Sequence, residues 1–125
     1  MKQTVSAEEA LALQELCCTA RSMINRGQFK GCFELLSEAM GKYPNAPHPH
    51  NLFGILLEKT GNHAMAMKHF RASYDLDSTY YPAAQNLMTF GTFRTKGPCA
   101  FDESDCTFPS SDKQDRRKNE KEGYR

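Results

Sequence analysis

Two stretches of this chain repeat one residue pattern at a distance of 34 positions, and this repeat limits the fold more than any other feature. Gly27 and Gly61 are 34 residues apart, and each interrupts a run of apolar residues with helical spacing. At the same offset, small residues match small residues and large apolar residues match large ones. The matched pairs are Ala20 with Gly54, Met23 with Leu57, Cys32 with Ala66, Leu36 with Phe70, and Ala39 with Ser73. This period predicts a stacked helix-turn-helix unit, with glycine where the chain reverses.

Capping signals and prolines divide the chain into five predicted helices. Ser6 followed by Glu9 is a capping-box pattern, which predicts that the first helix begins near residue 7. The second helix follows Gly27 and ends at Tyr43-Pro44, because proline lacks the amide that a helix interior requires. The same pattern then restarts and predicts two more helices, one on each side of Gly61. A fifth helix is predicted at about residues 81–91, with Pro82 in its first turn.

The repeated unit resembles the tetratricopeptide repeat (TPR), a helix pair of 34 residues. The resemblance covers roughly residues 12–92. The unit at 47–80 has Gly54, Leu57, Gly61, Ala66, Phe70, Ser73 and Asp77 at the family's positions. The unit at 13–46 keeps Gly27, Phe29, Leu36, Ala39 and Pro44, but has Ala20 in place of glycine and Cys32 in place of alanine. A third unit begins near Tyr81 and has no second helix.

The resemblance implies an all-α, TPR-type helix-turn-helix solenoid of about five antiparallel helices, followed by an irregular or disordered C-terminal tail. We expect a domain at 1–93, made of the repeats at 13–46 and 47–80 and a capping helix at 81–91. Residues 94–125 form a cysteine-containing turn segment and a charged tail. Fifteen of these 32 residues are charged, so we expect disorder from about residue 110. The turn segment is expected to cover part of the solenoid's exposed end.

In TPR proteins, the first helix of each unit lines a concave groove that binds a peptide or a partner protein. The resemblance therefore implies a protein-interaction module, an adaptor or scaffold without catalytic activity. Arg21 is the best candidate for binding a partner's carboxylate, because a guanidinium group forms two parallel hydrogen bonds. By position, the groove residues are Gln14, Cys17, Arg21, Ile24, Asn25, Asn51, Ile55, Glu58, Lys59, Gln85, Asn86 and Thr89. The alternative is that the polar side chains in this set form only a solvated face of the protein.

Composition and motifs exclude several other classes of function. The chain has 16 Lys and Arg against 15 Asp and Glu, a net charge of +1, which argues against a nucleic-acid partner. The sequence contains no phosphate-binding loop, nucleophile elbow or HExxH motif, so we expect neither an enzyme nor a cofactor. No apolar run reaches the roughly 18 residues of a membrane-spanning helix. We expect a cytoplasmic protein that does not bind membranes.

The five cysteines have irregular spacings, which argues against a secreted disulfide framework. Helical periodicity predicts that Cys18 and Cys32 pack inside, with Cys17 facing outwards. Cys99 and Cys106 enclose three acidic residues, so free thiols, a disulfide and a metal site all remain open. Two further functions therefore remain as alternatives: a redox- or metal-responsive module using these two cysteines, or a structural subunit that forms a homodimer through the solenoid's unfinished C-terminal end.

Overall fold

The computed structural model describes residues 6–91 and 99–106, and within these residues the protein is all-helical, as predicted. Helices that are consecutive in sequence pack against each other, and α1 also packs on α3. The expected disorder from about residue 110 lies outside the described residues. The helices are α1 (Ala7–Asn25), α2 (Phe29–Lys42), α3 (His48–Lys59), α4 (His63–Leu76) and α5 (Tyr81–Phe90), followed by a short 3-10 helix at Glu103–Asp105.

The 34-residue period of the sequence is also a period of the backbone hydrogen bonds. Gly27 and Gly61 adopt positive φ angles of 77° and 92°, where only glycine avoids a steric penalty. The amide after each glycine closes the same helix cap, at 2.8 Å in both units. The later turns repeat as well. The matched bonds are Gln28 N to Met23 O with Asn62 N to Leu57 O, Tyr43 N to Ala39 O with Asp77 N to Ser73 O, and Ala46 N to Tyr43 O with Tyr80 N to Asp77 O.

The core is centred on α3, which is buried continuously from Asn51 to Leu57. Gly54 lies directly against the ring of Phe70 in α4, and a Cβ atom at Gly54 would be 2.4 Å from that ring. Ala20 and Leu36, which occupy the places of Gly54 and Phe70 in the first unit, are also fully buried. The small residues of the repeat therefore allow close helix packing, while the large residues fill the space between helices.

The prediction for the adjacent cysteines of α1 is wrong, because Cys17 is fully buried and Cys18 is exposed. Cys17 lies on the same helix face as Leu13 and Ala20, and its sulfur is 3.8 Å from the hydroxyl oxygen of Tyr80. Burial raises the pKa of the Cys17 thiol to about 12, so the thiol is neutral and unreactive at physiological pH.

His48, at the start of α3, is a half-buried titratable group whose Nδ1 atom is buried without a hydrogen-bond partner. Its ring packs against the ring of Tyr80, with 4.4 Å between centroids. Burial lowers the pKa of His48 from 6.5 to about 4, although the nearby carboxylate of Asp77 acts in the opposite direction. Between these two pH values the unfolded chain binds more protons at His48 than the folded chain, so acid favours unfolding.

We expect the free energy of unfolding to fall as the pH is lowered from about 6.5 towards about 4, the two pKa values of His48. From pH 7 to pH 5, His48 alone should account for about 2 kcal/mol of this loss. His48→Phe keeps a ring against Tyr80 but cannot titrate. Urea unfolding at both pH values should give a loss about 2 kcal/mol smaller for the variant than for wild type. Identical losses for the two proteins would show that His48 is not the responsible group.

Candidate functional site

Residues 99–106, called here the docked segment, contact the side chains of α1, α3 and α5. Its central residues Ala100, Phe101 and Asp102 are buried. These contacts are made by the first helix of each sequence unit. The helical residues that bind the docked segment form a groove, and they are Gln14, Arg21, Asn51, Gln85 and Asn86.

Two fully buried asparagines of the groove bind the backbone of the docked segment. Asn86 donates through Nδ2 to the carbonyl oxygen of Ala100 and accepts from its amide through Oδ1, both at 2.9 Å. Asn51 donates to the same carbonyl oxygen at 2.9 Å and accepts from Asn86 at 2.8 Å. All these contacts to Ala100 use its backbone atoms, so the hydrogen bonds themselves do not depend on the side chain at this position.

Arg21 binds the side chains of the docked segment through three kinds of contact. Its guanidinium group donates to both carboxylate oxygens of Asp105, at 3.3 and 2.9 Å, and lies 3.2 Å from Asp102. It also lies over the ring of Phe101, 5.1 Å from the centroid. Gln14 is 3.5 Å from the same carboxylate of Asp102. This end of the groove therefore favours an aromatic residue combined with acidic residues.

Hydrogen bonds within the docked segment hold it in a compact turn. The carboxylate of Asp102 accepts the Ser104 amide at 3.0 Å, and the carboxylate of Asp105 accepts the Phe101 amide at 3.0 Å. Gln85 of α5 reaches the backbone oxygen of Asp105 at 3.5 Å. The turn presents both carboxylates on the side of Arg21.

The structure brings five of the predicted groove residues together around the docked segment, namely Gln14, Arg21, Asn51, Gln85 and Asn86. Asn51, Gln85 and Asn86 are buried, so they are not part of a solvated face. Of the other seven predicted groove residues, Cys17, Ile24 and Ile55 are buried in the core, Glu58 pairs with His63, Asn25 and Lys59 are exposed, and Thr89 is half-buried.

The position of the docked segment differs from the expectation that it covers the end of the solenoid. It contacts α1 and α3 as well as α5, and therefore fills the groove. Helical periodicity could not identify this occupant, since Arg21 and Asp105 are 84 positions apart. The available signal was complementary chemistry: an arginine in the groove and an aromatic-acidic segment later in the chain.

Cys99 and Cys106, the candidates for redox or metal chemistry, are half-buried in the docked segment. All five cysteines are free. Burial raises the pKa of the Cys99 and Cys106 thiols, that of Cys106 to about 11, so little reactive thiolate exists at neutral pH. Sequence spacing missed the contact of His50 with His69, whose Nδ1 atoms are 3.2 Å apart. Within the two described ranges, no group of three or more His, Cys, Asp or Glu side chains is placed to hold a metal ion.

Arg21→Lys should weaken docking, because an ammonium group cannot bind both oxygens of Asp105 and cover Phe101 at once. We expect a loss of about 1 kcal/mol in the free energy of unfolding at low salt, and a smaller loss at 0.5 M NaCl. Urea unfolding at both salt concentrations measures it. Arg26→Lys, at an exposed position of the following turn, is the control and should stay within about 0.5 kcal/mol of wild type. Equal effects at the two positions would argue against the specific role of Arg21.

Comparison of the sequence with known protein families gives no match. Searches of curated proteins and of solved structures also find no significant similarity. In the part of the chain that the structure describes, no helix has the length and hydropathy of a membrane-spanning segment.

Proposed function

We propose that this chain is a TPR-type protein-interaction module that binds a peptide, or a segment of a partner protein, in the groove and catalyses no reaction. The observation that carries this proposal is the binding of the Ala100 backbone by Asn51 and Asn86. Side chains that hydrogen-bond the main-chain amide and carbonyl of a bound segment are what a peptide-binding surface requires.

The burial of these asparagines supports the proposal energetically. A buried amide group without a partner costs about 1–3 kcal/mol. Asn51 and Asn86 are both fully buried, and each donates to the carbonyl oxygen of Ala100. In a groove without a peptide, the amide groups of the two asparagines would therefore be exposed to water or buried without the hydrogen-bond partner that a bound backbone supplies. Because Asn51 and Asn86 lie on helices that pack in the core, their side chains need little additional ordering on binding.

The alternatives receive less support from the site. A redox-responsive module needs accessible thiolates, whereas the thiol pKa values of Cys99 and Cys106 are raised. The free state of all five cysteines suits the reducing cytoplasm, which we propose as the location. A homodimer through α5 is a separate alternative, which a mass measurement in solution addresses.

A random peptide library displayed on phage tests the proposed function without assuming a ligand sequence. The target is the full chain with Phe101→Ala and Asp105→Asn, called the opened variant, which weakens the docked segment but keeps every groove residue. We expect enriched peptides whose binding is at least tenfold weaker when Arg21→Ala or Asn86→Leu is added. Circular dichroism checks that each target is helical. Failure to enrich any peptide, or enrichment of peptides insensitive to both substitutions, would contradict the proposed function.

A further inference from the structure

We propose that the groove's ligand shares the chemistry of the docked segment, and that residues 99–106 are a built-in competitor which this ligand displaces. The ligand is a peptide with a small residue, then an aromatic residue, then two acidic residues three positions apart. This inference rests on the proposed function, because it names the class of partner for the same groove. The contacts of the docked segment supply each part of the description.

The small residue is required by the space around Ala100. Ala100 is fully buried, with both asparagines bound to its backbone. A larger side chain would have to move packed groups, which typically costs 1–3 kcal/mol. The aromatic residue is required next, since Phe101 belongs to the same buried core cluster as Ile55 and lies beneath Arg21. An alanine there would leave apolar surface of the groove open to water.

The two acidic residues are required by the charge of the groove. The guanidinium group of Arg21 contacts the carboxylates of Asp102 and Asp105 together, and Gln14 approaches Asp102. A ligand with one acidic residue would leave part of this donor set without an acceptor. A spacing of three positions allows a turn to present both carboxylates to one arginine, as the turn from Asp102 to Asp105 does here.

Competition follows from the way the docked segment is attached. Seven residues, 92–98, connect Gly91 to Cys99 in the same chain. A short connection gives the attached segment an effective concentration of the order of 1 mM at its binding site. A free peptide with the same contacts therefore binds wild type more weakly than it binds a groove without the competitor. A natural partner must offer additional contacts, or a higher local concentration, to displace residues 99–106.

The test uses a fluorescein-labelled synthetic peptide with the sequence of residues 99–106, in which serine replaces both cysteines. Fluorescence anisotropy measures its binding to the full-length wild type and to the opened variant. We expect binding to the opened variant to be at least tenfold tighter than binding to wild type. Adding Arg21→Ala to the opened variant should weaken binding at least tenfold, and a peptide with alanine in place of phenylalanine should bind at least tenfold more weakly. Asp105→Asn alone serves as a second, milder variant if the opened variant is not helical.

Four outcomes would overturn the inference. Equal binding to wild type and to the opened variant would show that residues 99–106 do not compete. Absence of binding, while library peptides bind the same groove, would reject the acidic-aromatic ligand and leave the proposed function standing. A wild-type dimer in light scattering that Phe101→Ala converts to monomer would assign the groove to a second copy of this chain. Failure of both the synthetic peptide and the library would contradict the proposed function itself.

Discussion

Asn86→Leu is expected to lower the free energy of unfolding by about 3 kcal/mol and to release the docked segment. Leucine has a similar volume but makes no hydrogen bond, so the substitution removes the bonds to Asn51 and to both backbone groups of Ala100. Each polar group left buried without a partner costs about 1–3 kcal/mol. When the segment is released, water can form hydrogen bonds with the amide and carbonyl of Ala100. This limits the total loss in the free energy of unfolding.

Two measurements separate release of the segment from general unfolding of the helices. Urea unfolding followed by circular dichroism gives the stability. Brief digestion with chymotrypsin, analysed by mass spectrometry, reports cleavage after Phe101, which is buried in wild type. The control is Asn25→Leu, the same change at an exposed position of α1, which should leave both readouts near wild type. Unchanged cleavage after Phe101 in Asn86→Leu would contradict the assigned role of Asn86.

Gly54→Ala is expected to destabilise the protein by about 3 kcal/mol, although alanine favours a helix more than glycine does. The added methyl group would lie 2.4 Å from the ring of Phe70, which is fully buried and therefore has little room to move. Overpacking of this kind typically costs 1–3 kcal/mol and occasionally more. Thermal and urea unfolding measure the loss, which should lower the melting temperature by more than 10 °C.

Gly41→Ala is the matched control, because Gly41 also lies in a helix but a Cβ atom added there would have no neighbouring group within 4 Å. This change should leave the stability unchanged or raise it by up to about 1 kcal/mol. Combining Gly54→Ala with Phe70→Leu should cost less than the sum of the two single changes, since the smaller side chain makes room for the methyl group. Additive losses would show that Gly54 and Phe70 do not interact as described.

Local signals were sufficient to predict much of the helical fold. Ser6 caps α1 as predicted, with its hydroxyl oxygen accepting the Glu9 amide at 3.0 Å. Gly27 and Gly61 stand in the two equivalent turns because their positive φ angles exclude most other residues. These features depend on neighbours in sequence, so a single sequence contains the information needed to place them.

Contacts between distant residues could not be predicted in the same way. The orientation of Cys17 and Cys18 was assigned wrongly because two adjacent cysteines fit an apolar face almost equally well, and Tyr80, which contacts Cys17, is 63 positions away. The repeat placed Arg21 and Asn86 in the groove by position. It carried no information about residues 99–106, because the docked segment is not part of the repeat.

Hydrogen exchange of the Ala100 amide, followed by NMR on the wild-type chain, tests the central claim most directly. This amide is buried and donates to the Asn86 side chain at 2.9 Å, so it should exchange about 100-fold more slowly than in an unstructured peptide. Asn86→Leu should remove this protection while amides in the middle of α3 keep theirs. Exchange of the wild-type Ala100 amide at the rate of an unstructured peptide would contradict a groove that binds residues 99–106.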